Sequence, residues 1–510
     1  MQTIDRIMSQ AANRPDARAI VTDRGTVSYG ELIAQAASVA QVLRDLPDAP
    51  LSLPVGIGLP KSPAAVAVML GALLAGRAYL PMDPALPASR RADMIADSGA
   101  DVVYVADDDT LAQFRQDCPQ ASLRLVGPDL SRRAAVRCDQ RPPGADAALL
   151  YTSGSTNRPK GVRLGRGGVD VFVDWAIDYF GLQSTDRLAS HAPFGFDISL
   201  LDLWAGLAAG AEVHLVPEGQ LANGRYLIRF LNDHAITFWQ SVPAPLTAIA
   251  AEIAAGHAPP ASLRQICATG EVLPGSARVR LARLGPQVTL HNIYGCTETN
   301  DTFVFSLPVT EAADDGDLPI GLPVAYADFL IVDENCRPVP RGMSGELLTA
   351  SGAGFTGYTD PAQTEAAHVT VAGQRYYRTH DLVCQDHDGM LHFLGRADHT
   401  IKLRGMRIDL REIEAALEQY PPVRDVVALA MPCDVRGRQL ICVIASSRVA
   451  EMGQIALKAH CARLLPRQAI PDRFVIRDQP LPRNPNGKID RRAVAAWLAG
   501  NIQQKMEKTS

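Results

Sequence analysis

Apolar positions recur along this chain with two spacings, and the spacing changes along its length. From Tyr29 the apolar residues Leu32, Ala36, Val39 and Leu43 fall on one face of a helix. Ser28 and Glu31 form a capping box at its start, each side chain able to bond the other's amide. Residues 64–75 are apolar almost without interruption and predict a buried helix, and 78–81 predict a strand. Short apolar runs at 102–106 and 213–217 alternate with helical stretches, the signature of an α/β unit with a mostly parallel sheet. The stretch 118–144, rich in Pro, Arg and Gly, reads as a connection between two subdomains.

Beyond residue 320 the texture shifts to short strands separated by turns, at 329–333 and 346–349. After Gly395 a small α+β unit is expected. It has a strand at 400–404, a helix capped by Asp409 with Glu412 three residues on, strands at 426–430 and 440–445, and a helix near 454–465. The polar residues 501–510 read as a tail. No internal repeat is visible.

Bulk properties narrow the function classes. At 510 residues the chain exceeds the size of one core and predicts at least two domains. The 47% hydrophobic and 21% charged content is that of a globular protein, and the net charge of −5 gives no basic face for nucleic acid. The nine cysteines are scattered, without a Cys-x-x-Cys pair, and predict reduced thiols. The longest apolar run, 64–76, is too short to span a bilayer, and no signal peptide is evident. These features predict a cytoplasmic enzyme with neither a membrane nor a nucleic-acid partner.

The chemistry begins where the apolar run 147–151 stops at Thr152-Ser153-Gly154-Ser155-Thr156, followed by Asn157-Arg158-Pro159-Lys160-Gly161. This reads as a strand emptying into a loop whose amides, hydroxyls and lysine can face a polyphosphate. It is not a Walker A loop, because Lys160 precedes Gly161 where that motif needs Ser or Thr. Taken alone, the loop leaves a surface turn and a nucleotide site equally open.

An ordered motif series decides between them. It runs through Val27-Ser-Tyr-Gly-Glu-Leu32, Leu73-Leu-Ala-Gly-Arg-Ala-Tyr-Leu-Pro-Met-Asp83, the loop above and Phe196-Asp-Ile-Ser199. It continues with Asn292-Ile-Tyr-Gly-Cys-Thr-Glu298, Gly345-Glu-Leu347, Tyr377-Arg-Thr-His-Asp-Leu382 and Gly395-Arg-Ala-Asp398. Lys402-Leu-Arg-Gly-Met-Arg-Ile408 and Asn486-Gly-Lys-Ile-Asp-Arg491 close it. The chain thus resembles the adenylate-forming (ANL) superfamily, and within it the amino-acid adenylation domains of nonribosomal peptide synthetases and the D-alanine–carrier protein ligases. The resemblance implies an α/β fold with a large N-terminal domain, made of α/β/α subdomains and a small β-barrel-like subdomain. A small mobile α+β C-terminal domain follows. The domains expected are 1–397 and 398–500, hinged at Asp398, with the tail 501–510.

The resemblance also implies residue roles. Thr152, Ser153, Gly154, Ser155, Thr156 and Lys160 would clasp the β- and γ-phosphates of ATP. Asn157 replaces a usual glycine there; of the other residues, Asn is among the most tolerant of φ > 0. Tyr294 would stack on adenine, Thr297 would meet the α-phosphate and Glu298 would hold Mg²⁺, with Gly270, Glu271, Asn292 and Gly295 completing the nucleotide site. From the residues alone, 292–298 also fit a buried polar turn. Asp381 would bond the ribose hydroxyls, with Arg396 nearby. His380, where the family has glycine, is either a titrating site residue or a solvent-facing turn histidine. Lys488 would bridge the substrate carboxylate and the α-phosphate, and Gly405 would let a pantetheine arm pass close to the backbone. The catalytic set is therefore Lys488, Lys160 and Thr297.

Asp197 would pair with the substrate ammonium in this scheme; a helix N-cap is the alternative for a carboxylate in Phe-Asp-Ile-Ser. The pocket-lining positions align as Asp197, Ile198, Leu201, Gln240, Cys267, Thr269, Ile293, Asp301 and Thr302. The first four resemble pockets for very small amino acids such as glycine, with Gln240 narrowing the cavity. Asp301 breaks that pattern and would meet a side-chain hydroxyl or amine, or else be satisfied by Asn300, Thr302 or water. A small or polar amino acid is expected: glycine, alanine, serine, threonine or a diamino acid. Fewer than twenty residues follow Arg491, so a stand-alone ligase loading a separate phosphopantetheinylated carrier protein is expected. The alternatives are an acyl-CoA or aryl-CoA ligase of the same superfamily, and a non-catalytic member that only binds nucleotide or carrier.

Overall fold

The computed structural model describes residues 1–46, 50, 52–118, 124–126, 130, 136–138, 142, 145–152, 159–221, 223–313, 316–396, 400–403, 406–433, 437–446, 448, 452–483, 489–491 and 493–499. Ser153, Gly154, Ser155, Thr156, Asn157, Asp398, Gly405 and Lys488 lie outside them. The chain forms two compact units, one built from residues 1–85, 91–152 and 160–397, the other chiefly from the residues after 397.

Two mixed sheets dominate the first unit. In the nine-stranded sheet the order is Leu322–Pro323, Asn300–Pro308, Thr289–Cys296, Gln265–Thr269, Phe238–Ser241, Arg187–Ser190, Glu212–Leu215, Arg18–Thr22 and Gly25–Ser28. The six strands from Thr289–Cys296 to Arg18–Thr22 run parallel, and antiparallel strands complete both edges. Parallel strands need crossover connections, which is why helices such as Gly224–Asp233 and Pro243–Ala254 alternate with them in sequence. The seven-stranded sheet runs Gly357–Tyr358, Lys160–Gly165, Asp146–Thr152, Tyr79–Pro81, Val55–Gly58, Val102–Val105 and Arg124–Val126.

Helix Tyr29–Asp45 starts at the expected capping box, with Ser28 accepting from the Glu31 amide and Glu31 accepting from the Ser28 amide. The helix Pro63–Leu74 opens on Ser62 as cap and proline at its first turn, and everything from Ala65 to Leu74 is buried. An antiparallel five-stranded sheet of Ala327–Val332, Ser344–Ser351, His368–Val371, Gln374–Gln385 and Leu391–Arg396 makes up the short-strand region predicted beyond residue 320.

The second unit has its own core. Ile413 and Leu417 from helix Leu410–Glu418, Cys442 and Ile444 from strand Gly437–Ala445, and Leu457 and Cys461 from helix Gln454–Leu464 form one buried cluster. Asp409 caps the first of these helices by accepting from the Arg411 amide. Among the described residues no helix is long and apolar enough to cross a membrane.

Candidate active site

Four of the nine sequence-predicted pocket residues, Gln240, Cys267, Thr269 and Ile293, lie in the middle or carboxyl-terminal part of parallel strands. Open parallel sheets place ligands at the carboxyl ends of their strands, because the loops leaving those ends carry backbone groups that the ladder no longer uses. Gln240 pairs in register with Cys267 across the strands Phe238–Ser241 and Gln265–Thr269, and Thr269 pairs with Ile293 on Thr289–Cys296. Gln240, Cys267, Thr269 and Ile293 are all buried. The Gln240 Oε1 has no hydrogen-bond partner among the described residues. Gly270 follows directly with φ of +88°, ending the strand and turning the chain into Glu271.

A second group of predicted pocket residues lies in the segment after Arg187–Ser190. Asp197 is half-buried, and its Oδ1 accepts the Ile198 amide at 3.1 Å. The π-helical turn that follows, Leu200–Ala205, has Ser199 at its N-cap position, so Asp197 does not cap it. The wide turn buries Leu201 and Asp202 together; single π-turns of this kind concentrate at functional sites.

The third element is the hairpin Thr289–Cys296/Asn300–Pro308. Its ladder slips between Tyr294 and Gly295, leaving Gly295 opposite Asp301 and Cys296 opposite Asn300. The turn between the legs carries Thr297, which is half-buried, and Glu298, which is buried. Asp301 is 8% exposed, and its backbone carbonyl accepts the Tyr326 hydroxyl at 2.5 Å. Burial pushes the Cys267 thiol well up, and the Asp301 charge adds to the shift. Thr302 is fully buried, with its hydroxyl 3.4 Å from the Tyr294 carbonyl. Asn292 donates from its side chain to the Pro319 carbonyl at 2.8 Å.

Asp381 sits at the centre of a buried polar cluster and is 1% exposed. Its Oδ2 accepts the Tyr294 hydroxyl, and its Oδ1 accepts Arg396 Nη1 at 2.5 Å. The Tyr294 ring is buried edge-on against Phe303, with centroids 5.8 Å apart. Burial, with Asp381 opposite, pushes the Tyr294 phenol well above its ordinary range, so it stays a donor. His380 has φ of +58°, at a ladder irregularity between Ser344–Ser351 and Gln374–Gln385. That left-handed conformation explains why glycine suits the position. The ring is 39% exposed and lies 3.3 Å from Glu346 Oε1.

Glu298 is linked to Lys160 through a residue that sequence reasoning missed. The Tyr358 hydroxyl donates to Glu298 Oε1 at 2.7 Å, and Lys160 Nζ stands 5.1 Å from the centre of the same ring. The short strand Gly357–Tyr358 pairs with Lys160–Gly165. Gly161 permits this approach: a Cβ there would lie 2.7 Å from Thr359 and 3.0 Å from Tyr151. A two-residue strand leaves almost no periodic signal, which is why Tyr358 escaped notice.

No group of three or more His, Cys, Asp or Glu side chains that could hold a metal occurs among the described residues. One buried carboxylate, with an oxygen already oriented by a tyrosine, nevertheless suits Mg²⁺. That ion commonly takes one or two carboxylates and completes its shell with phosphate oxygens and water.

Comparison with known proteins agrees with this architecture. The chain matches the AMP-binding enzyme family over residues 7–359 and the AMP-binding enzyme C-terminal domain over 412–488. It therefore belongs to the AMP-binding enzymes. It is 32% identical to an L-proline--[L-prolyl-carrier protein] ligase of Streptomyces coelicolor, over 96% of each chain. It is 33% identical to surfactin synthase subunit 1 of Bacillus subtilis, spanning 94% of this chain but only 14% of that protein. Among solved structures, a four-domain nonribosomal peptide synthetase bound to AMP and glycine is similar at 29% identity and a TM-score of 0.67, covering 96% of this chain and 36% of that one.

Proposed function

We propose that this protein is an amino acid–[carrier protein] ligase (AMP-forming), which activates a small or polar amino acid as its adenylate and passes it to the thiol of a phosphopantetheinylated carrier. One observation carries the reading. A single hairpin has Tyr294 and the turn residues Thr297 and Glu298 on one side, and Asp301 on the other, with Gly295 directly opposite Asp301. A nucleotide and a second small reactant bound to such a hairpin are held side by side, which is what joining a carboxylate to the α-phosphate requires. The full-length likeness to proline–carrier ligases and the likeness to a synthetase bound to glycine support the substrate class.

In this mechanism the protein works by orientation and charge. Lys160, with Thr152 and the loop residues Ser153 to Thr156, faces the β- and γ-phosphates and stabilises the departing pyrophosphate. Asp381, fixed by Arg396 and Tyr294, accepts from the ribose hydroxyls. Asp197 pairs with the substrate ammonium, while Gln240, Cys267 and Leu201 limit the side chain that fits. Thr297 and Lys488 meet the α-phosphate, Lys488 spanning to the attacking carboxylate. Glu298 would hold Mg²⁺, which when bound supplies positive charge to the phosphate oxygens. Rotation about Asp398 then admits the carrier thiol.

A pyrophosphate-exchange panel tests the proposal. Exchange is expected with glycine, alanine, serine, threonine or a diamino acid, and activity confined to large apolar or aryl acids overturns it. Transfer of the acyl group from AMP to the CoA thiol in place of a carrier thiol would point to the acyl-CoA ligase alternative. Lys488→Ala should abolish adenylation while transfer from supplied aminoacyl adenylate persists.

A further inference from the structure

The loop that carries Asp197 is tied down on both sides by one pair of opposite charges. Lys61 stands just before Ser62, the cap of helix Pro63–Leu74. Its Nζ donates to the Ser190 carbonyl at 2.7 Å and to the Ala192 carbonyl at 2.8 Å, and lies 5.5 Å from the Phe194 ring centre. Those acceptors are the last residue of strand Arg187–Ser190 and the second residue beyond it, so Lys61 fixes the chain upstream of Asp197. Downstream, the π-helical turn Leu200–Ala205 buries Asp202 completely, beside the pocket residue Leu201.

The two charges act on each other. Burial pulls the Lys61 ammonium down to about 8, and Asp202 and Glu218 oppose that shift. Burial pushes the Asp202 carboxyl up to about 7, and Lys61 opposes that one. The Ser190 hydroxyl and the His191 and Leu203 amides lie close enough to the Asp202 carboxyl to hold its pKa down, without forming well-aligned hydrogen bonds to it. Apolar packing often serves stability at least as well as a buried pair of charges, and what such a pair can add is a fixed geometry for the chain around it.

We propose that Lys61 and Asp202 form an electrostatic clamp that positions the loop 192–200, and through it Asp197, for the substrate ammonium. Both are positioning residues that act through Asp197. The proposal rests on the amino-acid reading above only for the identity of the group that Asp197 meets.

Two measurements on the full chain test it, using Lys61→Met, Lys61→Arg, Asp202→Asn and the Lys61→Met/Asp202→Asn double variant. In hydrogen exchange without ligand, peptides covering 192–205 should exchange roughly tenfold faster in Lys61→Met, while the strand Gln265–Thr269 keeps its protection. In pyrophosphate exchange the amino-acid KM should rise roughly tenfold or more with the ATP KM within about twofold, since small misplacements of a binding group are costly. Lys61→Arg should recover most of the loss, and the double variant should be no worse than Lys61→Met, because either change alone releases the clamp.

Unchanged exchange over 192–205, or parallel rises in both KM values, overturns the clamp. Should Lys61→Met fail to fold, Asp202→Asn is expected to show the same pattern and decides the matter. If the loop loosens but the wild-type enzyme activates no amino acid, the amino-acid reading falls and the clamp stands.

Discussion

The Tyr358 hydroxyl reaches Glu298 Oε1 across 2.7 Å while its ring lies beneath Lys160. Two residues whose proposed partners are the metal and the terminal phosphates are thus referenced to one side chain. Tyr358→Phe keeps the ring and deletes the bond. A hydrogen bond to a charged group is worth about 1.5–3 kcal/mol, so the KM for Mg·ATP should rise roughly tenfold or more. Titration of Mg²⁺ at fixed ATP checks this, and an unaltered Mg²⁺ dependence would remove Tyr358 from the site.

Asp381 is buried between Tyr294 and Arg396, and the Arg396 side chain is itself only 9% exposed. Replacing Asp381 by Ala removes the carboxylate from this buried pair. Breaking a buried pair in this way typically costs about 3–5 kcal/mol. Asp381→Ala should therefore lose stability in urea as well as ATP affinity. A variant with native stability would show that the pair is not a structural element.

Acid should destabilise the protein in two stages. Burial pulls His191 and His291 down to about 4. The unfolded chain takes up these protons from about pH 6.5, where the folded chain resists them. Their contribution is complete above that value and lost as pH falls toward 4. Half-burial pushes Glu346 up, but hydrogen bonds from His380 and Arg378 outweigh it and hold the carboxyl at about 2. Its contribution is present above its ordinary range, about 4.3, and lost between there and 2. Urea midpoints should fall from pH 7 to 5, less steeply in His291→Gln. Glu346→Gln should flatten only the limb below about pH 4.3. A midpoint constant from pH 7 to 5 would contradict the first stage.

Asp301 lies at the boundary between the two proposed reactants. Asp301→Asn keeps the shape and removes the charge, so a substrate recognised through a side-chain amine should lose roughly tenfold or more in kcat/KM. Glycine and alanine should change by less than about twofold. Equal losses for all substrates would assign Asp301 a structural part.

Much of this was legible in the sequence, for identifiable reasons. The capping box at Ser28 and the apolar stretch before Ala75 declare their helices through local chemistry, and both helices begin where that chemistry puts them. Asp197 was ambiguous between an ammonium partner and a cap because both uses need the same carboxylate. The turn geometry, with Ser199 at the N-cap position, bears on the cap alone and leaves the ammonium role a proposal. His380 was ambiguous because φ cannot be read from a side chain. Tyr358, Tyr326 and the Lys61–Asp202 pair were invisible because each acts across long sequence separations, with no periodic or motif signal to mark it.

Gly295 has a consequence for anyone wishing to redesign the enzyme. A Cβ there would lie 2.2 Å from the Asn300 carbonyl oxygen and 2.9 Å from the Asp301 Cα, so the hairpin legs cannot move independently. Changing the substrate by altering the Asp301 leg should shift the leg that carries the proposed ATP contacts. Selection for a new amino acid should therefore recruit compensating changes around Thr297 and Glu298, and swapping the whole hairpin should succeed where single pocket substitutions stall.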